Sequence, residues 1–123
     1  MVTLTSAVRI WLATEPVDIR LSFRGLSGLV RQKLQDDPLS GHLFCFVNVR
    51  HTMMKLLLYD RTGYWIFYKR LSRGTFRLPV VPAGTLRVRI DGGDLALILE
   101  GIDLTGATRR KRYRRPETGP AES

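Results

Sequence analysis

Asp18, Asp60, Asp91, Asp94 and Glu100 are the side chains of this sequence with which hydrolytic chemistry on a phosphodiester would begin. A two-metal nuclease site needs about three carboxylates converging to hold paired cations. Each of these five also has a simpler task. Asp18, Asp91 and Asp94 stand where helices are capped, Asp60 opens a Thr-Gly turn, and Glu100 falls on a helix surface. His42 and His51 flank one strand-like run and lie about 30 Å apart if that run is straight, too far to share a metal. His42 is read as a structural hydrogen-bonding residue. Cys45 sits between Phe44 and Phe46 in the most apolar run, where a free thiol behaves as a small hydrophobe rather than a nucleophile. No catalytic constellation, metal site or cofactor site is predicted.

Basic residues offer a second chemistry, contact with phosphate. Arg87 and Arg89 alternate on one strand, and Lys69, Arg70, Arg73 and Arg77 cluster near hairpin ends. The run Arg109, Arg110, Lys111, Arg112, Arg114 and Arg115 is interrupted only by Tyr113. Residues 109–123 hold six Lys or Arg against two Glu, a net +4 of the chain's +9. A pI near 10.6 favours a polyanionic partner, nucleic acid before an anionic membrane. The predicted nucleic-acid contacts are Lys69, Arg70, Arg73, Arg87, Arg89 and the six cations of the tail. No groove-reading helix-turn-helix is visible, so contact through the tail would carry little sequence information. Tyr59, Tyr64, Trp65, Phe67 and Tyr68 could stack on unpaired bases. A small domain needs its rings for packing, however, and the core is where they are expected.

The elements that position these groups centre on residues 37–79. Leu43 to Val49 is apolar on both alternating faces, as in a strand covered on both sides. Met54 to Tyr59 and Tyr64 to Leu71 form a hairpin about Asp60-Arg61-Thr62-Gly63, with Gly63 able to take positive φ. Thr75 to Leu78 is expected as a further strand of the meander. Val8 to Ala13 alternates with period two, leaving Trp11 to be covered by a later element. Asp18 is expected to cap a helix carrying Ile19, Phe23, Leu26 and Val30 on one stripe and ending near Gln35. Gly25 and Gly28 within it suggest close approach to a sheet. Leu86 to Ile90 is a last strand, and Asp91 to Asp94 starts a short helix that stops at Gly101.

A chain of 123 residues is one domain and buries roughly two-thirds of its unfolded surface. A single cysteine excludes an internal disulfide and fits a reducing compartment. No basic region followed by an apolar stretch opens the chain, and no apolar run approaches the ~18 residues of a membrane span. A cytoplasmic, nucleoid-associated protein is expected, with no membrane partner. Residues 1–7 read as a flexible N-terminus, 8–104 as the domain, and 105–123 as a disordered basic tail.

Six segments in order carry a resemblance: Trp11 to Arg20 (WLATEPVDIR), Phe23 to Leu26 (FRGL), Asp37 to Phe44 (DPLSGHLF), Tyr68 to Leu71 (YKRL), Gly74 to Pro79 (GTFRLP) and Leu97 to Ile102 (LILEGI). Over residues 8–104 the chain resembles the TnpB-type accessory protein, the second open reading frame product, of IS66-type insertion sequences. Its Arg50 to Met54 linker departs from the Gly- and Asp-rich loop of many members, and the arginine tail lies outside the shared region. The resemblance implies a protein that accompanies a large DDE transposase and another small protein of the same element, without assigned catalytic residues. The fold expected is α+β: a curved antiparallel sheet of hairpins with two helices, followed by the basic arm. The function expected is a non-catalytic accessory role in transposition, with DNA, the transposase and the second small protein as partners. A metal-dependent nuclease and a pure interaction module without DNA binding remain the alternatives.

Overall fold

The computed structural model describes residues 7–101, so the N-terminal segment and the basic arm expected at 105–123 lie outside the described residues. The elements run β1 (Ile10–Ala13), α1 (Phe23–Gln32), β2 (Leu43–Val47), β3 (Met53–Tyr59), β4 (Tyr64–Arg70), β5 (Arg87–Ile90) and α2 (Gly92–Leu99). The strands form one sheet in the order β4-β3-β2-β1-β5, and the fold is α+β. β2, apolar on both faces in sequence, takes the centre, and all five of its residues are buried.

Period-two alternation sorts the strands into two cores. Ile10, Leu12, Leu43, Cys45, Val47, Met54, Leu56 and Leu58 face α2, which contributes Leu95 and Ile98. Phe44, Phe46, Leu57 and Ala13 face α1, which contributes Leu26 and Val30, with Leu34 just beyond its end. Each deviation from the sequence reading has a physical cause. The sheet is mixed rather than wholly antiparallel, because β1 pairs with β2 in parallel while the other pairs are antiparallel. A parallel neighbour needs a crossover, and the segment containing α1 supplies it. α1 begins at Phe23, not at Asp18. The Asp18 carboxylate is taken by the backbone N–H and guanidinium of Arg20, and Ser22 stands at the N-cap without a side-chain bond. The space that a Cβ at Gly25 would enter is occupied by the Leu21 side chain rather than the sheet, and at Gly28 it is open.

Thr75 to Leu78 forms no strand. After β4 the chain turns under the sheet: Leu71 N–H donates to Thr52 O (2.9 Å) and Phe76 N–H to His51 O (2.7 Å). Phe76 is thereby driven into the α2-side core, with 1% of its surface exposed. In the β3–β4 turn it is Arg61, not Gly63, that takes the left-handed conformation, at φ +76°. Asp60 Oδ1 accepts from Thr62 N–H, Thr62 Oγ and Gly63 N–H, and these bonds stabilise that conformation. α2 starts as expected. Asp91 accepts from Asp94 N–H at 2.7 Å and Asp94 returns the bond to Asp91 N–H, a reciprocal capping box, while Gly101 at φ +77° ends the helix.

Candidate nucleic-acid interface

The structure divides the predicted phosphate contacts between opposite sheet edges. Lys69 and Arg70 end β4, with Arg73 just beyond, whereas Arg87 and Arg89 lie on β5. Four strand spacings separate these edges, roughly 19 Å. Lys69 Nζ donates to Leu99 O at 2.7 Å and lies 3.8 Å from a Glu100 carboxylate oxygen, so it ties β4 to the C-terminus of α2. A cation there also meets the negative end of the helix dipole. Arg87 is engaged in the fold as well. Its guanidinium lies 3.9 Å from the Trp11 ring centroid and pairs with Asp36. The later element expected to cover Trp11 is therefore β5, although Trp11 Nε1 is buried without a hydrogen-bond partner.

Arg70, Arg73 and Arg89 differ. All are exposed, and none makes an ion pair or side-chain hydrogen bond among the described residues. Arg61 at the β3–β4 turn and Arg77 share this condition. Arg109, Arg110, Lys111, Arg112, Arg114 and Arg115 fall outside the described residues.

The aromatic expectation needs correction. Trp65, Phe67 and Tyr68 are 43%, 40% and 56% exposed rather than packed inside, because β4 is an edge strand that neither helix covers fully. Trp65 and Phe67 stack with centroids 6.1 Å apart on the α2 face. Tyr64 and Ile66, on the other face, pack against the α1-side core.

Electrostatics account for the carboxylates one by one. Hydrogen bonds from the Arg20 side chain and backbone hold the Asp18 carboxyl down at about 2. Trp65 Nε1–H, donating to Asp60 at 2.6 Å, leads the contacts that keep Asp60 below its ordinary range. Burial opposes ionisation of Asp36, but the Asp37 N–H and Arg87 outweigh it and lower its pKa. Asp91 and Asp94 cap α2, and Glu100 lies beside Lys69. Among the described residues no group of three or more His, Cys, Asp or Glu is placed to hold a metal ion. His42 Nδ1 accepts from Arg9 N–H at 2.9 Å, the structural role expected of it. Cys45 is wholly buried, and burial pushes its thiol pKa up, away from reactivity.

Three residues that the sequence reading passed over organise this framework. Asp36 anchors Arg87. Asn48 Oδ1 accepts from Thr52 N–H and Met53 N–H, shaping the turn before β3 in which His51 takes φ +57°. Lys55 donates to Leu21 O at 2.8 Å and lies over the Tyr68 ring, joining β3 to the approach of α1. Only an Asn at a strand end signalled any of these in advance.

A family model described as IS66 Orf2 like protein matches residues 8–109, spanning every element of the fold. The chain belongs to the IS66 Orf2-like family. Two relatives from Sinorhizobium fredii (strain NBRC 101917 / NGR234) carry the likeness across nearly the whole fold. Uncharacterized protein y4hO is 36% identical over 96 residues, covering 78% of this chain and 82% of its own. Uncharacterized protein y4jC is 33% identical over 116 residues, covering 94% and 97%. No solved structure matches. For this IS66 Orf2-like protein, no helix among the described residues is long and apolar enough to cross a membrane.

Proposed function

We propose that this IS66 Orf2-like chain is a non-catalytic accessory factor in transposition of its insertion sequence. It holds DNA by phosphate contacts, while its folded part docks on the DDE transposase or on the second small protein of the element. The reading rests on the family match over residues 8–109. Arg70, Arg73 and Arg89 support the DNA half, being exposed cations without acidic partners among the described residues. The cations Arg109, Arg110, Lys111, Arg112, Arg114 and Arg115 supply the larger charge. Lys69 and Arg87, engaged inside the fold, contribute less. Action beside the nucleoid follows from the same reading.

Gel shifts with insertion-sequence end DNA test it, comparing the full chain with a variant whose six tail cations are replaced by Ser. The full chain should shift the DNA, the variant should shift it weakly, and neither should cut it in Mg²⁺ or Mn²⁺. Metal-dependent cutting lost on changing Asp18 or Asp60 would favour the nuclease. Capture of the transposase without any DNA affinity would favour the interaction module.

A further inference from the structure

β4 is a seven-residue edge strand, Tyr-Trp-Ile-Phe-Tyr-Lys-Arg, with β3 on one side and, among the described residues, no strand on the other. Long apolar edges invite pairing, and proteins usually blunt them with proline, a bulge or a central charge. β4 has no Pro or Gly, it pairs with β3 without a skipped residue, and its charges fall only at its last two positions.

Its backbone direction can be read from the flanking bonds. Asp60 N–H donates to Gly63 O and Leu71 N–H to Thr52 O, so odd-numbered residues on this strand turn their backbone groups towards β3. Antiparallel ladders alternate. Tyr64, Ile66, Tyr68 and Arg70 therefore point their N–H and C=O groups outward.

We infer that β4 pairs antiparallel with β4 of a second copy about a two-fold axis at Phe67, joining the two sheets into one. In this register Tyr64 exchanges backbone hydrogen bonds with the second copy's Arg70, and Ile66 with its Tyr68. The whole strand is used and every outward group is satisfied. Opposed residues of an antiparallel pair share a face. On the α2 face, Phe67 meets its own image and Trp65 meets Lys69. On the α1 face, Tyr64 meets Arg70 and Ile66 meets Tyr68. Each cation falls opposite an aromatic ring and no like charges oppose, so the strand is complementary to itself. A polyanion fits this edge less well, since Asp60 beside Trp65 and Glu100 beside Lys69 set carboxylates against the exposed rings.

The inference does not depend on DNA binding. Sedimentation velocity on the full chain at micromolar concentration should show a dimer. Phe67→Asp, which sets two carboxylates face to face, and Tyr68→Pro, which removes an outward N–H together with the ring beneath Lys55, should both give monomers that still unfold cooperatively on heating, at a lower temperature than the dimer. Mild oxidation should link Phe67→Cys into a disulfide dimer. Facing residues at such a non-hydrogen-bonded position lie within disulfide reach. Tyr68→Cys should not link, because its two copies would stand roughly 8 Å apart. A monomeric parent chain overturns the inference. So does a dimer that survives both substitutions, that links through position 68 instead, or that forms only with single-stranded DNA present.

Discussion

At the scale of the residue, the contrast between Arg87 and Arg89 is the most informative. They are two positions apart on one strand and share a sheet face, opposite Ala13 and Trp11. Arg87 lies over Trp11 and pairs with Asp36, whereas Arg89 is exposed and has no acidic partner among the described residues. Arg87→Ala should therefore lower stability by about 1–3 kcal/mol, from the lost cation–π contact and the half-buried carboxylate left behind. Arg89→Ala should change stability by less than about 0.5 kcal/mol. Urea unfolding of the two variants checks this, and DNA affinity should fall more for Arg89→Ala.

Asp36 adds a pH dependence with a defined sign. Its carboxyl is held below its ordinary value in the fold, so in the acid window the unfolded chain binds the proton more readily. The stabilisation is present above the ordinary aspartate range near about 4 and is lost as pH falls through the lower folded value. Asp36→Asn should be less stable than the parent at neutral pH, with the gap narrowing below about pH 4. Thermal unfolding across pH measures the gap, and one that does not narrow in acid would remove the ion pair from the account.

Among the elements, the segment from Leu71 to Leu86 shows where pattern fails. Phe76 and Leu78 alternate with polar neighbours, which in sequence is indistinguishable from a strand. The chain instead uses its backbone groups to close the end of the sheet at His51 and Thr52, and Phe76 fills the core beneath α2. Phe76→Ala should thus cost about 3–5 kcal/mol despite its place in a loop. An exposed loop residue such as Val80 should tolerate Ala with little change. Chemical denaturation of both variants decides between a loop that anchors the core and one that merely connects.

Strand direction was equally invisible. Alternation in Val8 to Ala13 marks a strand but carries no sign of its partner, and only the crossover through α1 makes β1 parallel to β2. By contrast, features with purely local causes were legible. The doubly apolar β2 reads directly as the central strand, the Asp91–Asp94 pair as a helix start, and Gly101 as its stop.

For the whole molecule, the α+β class, the two helices and the family were readable because each rests on periodicity or on motifs kept in order. The candidate interface was only partly so. Positive charge is visible in sequence, but whether a cation already has a partner depends on contacts such as Arg87 to Asp36, 51 positions apart in the chain. Exposure of the β4 rings was missed for the same reason, since it follows from strand order and not from composition. Among the described residues the molecule is a two-core sheet scaffold with exposed arginines at its periphery, carboxylates engaged in turns, caps and ion pairs, and one exposed aromatic edge.

The central claim, that this scaffold serves transposition by holding DNA through phosphate contacts, is tested most directly by the salt dependence of DNA affinity for the full chain. Fluorescence anisotropy from low to moderate salt should give a log–log slope near about −5 if the six tail cations engage duplex phosphates, shallower when they are replaced by Ser. A slope near zero, or one unchanged by removing those charges, would contradict the account.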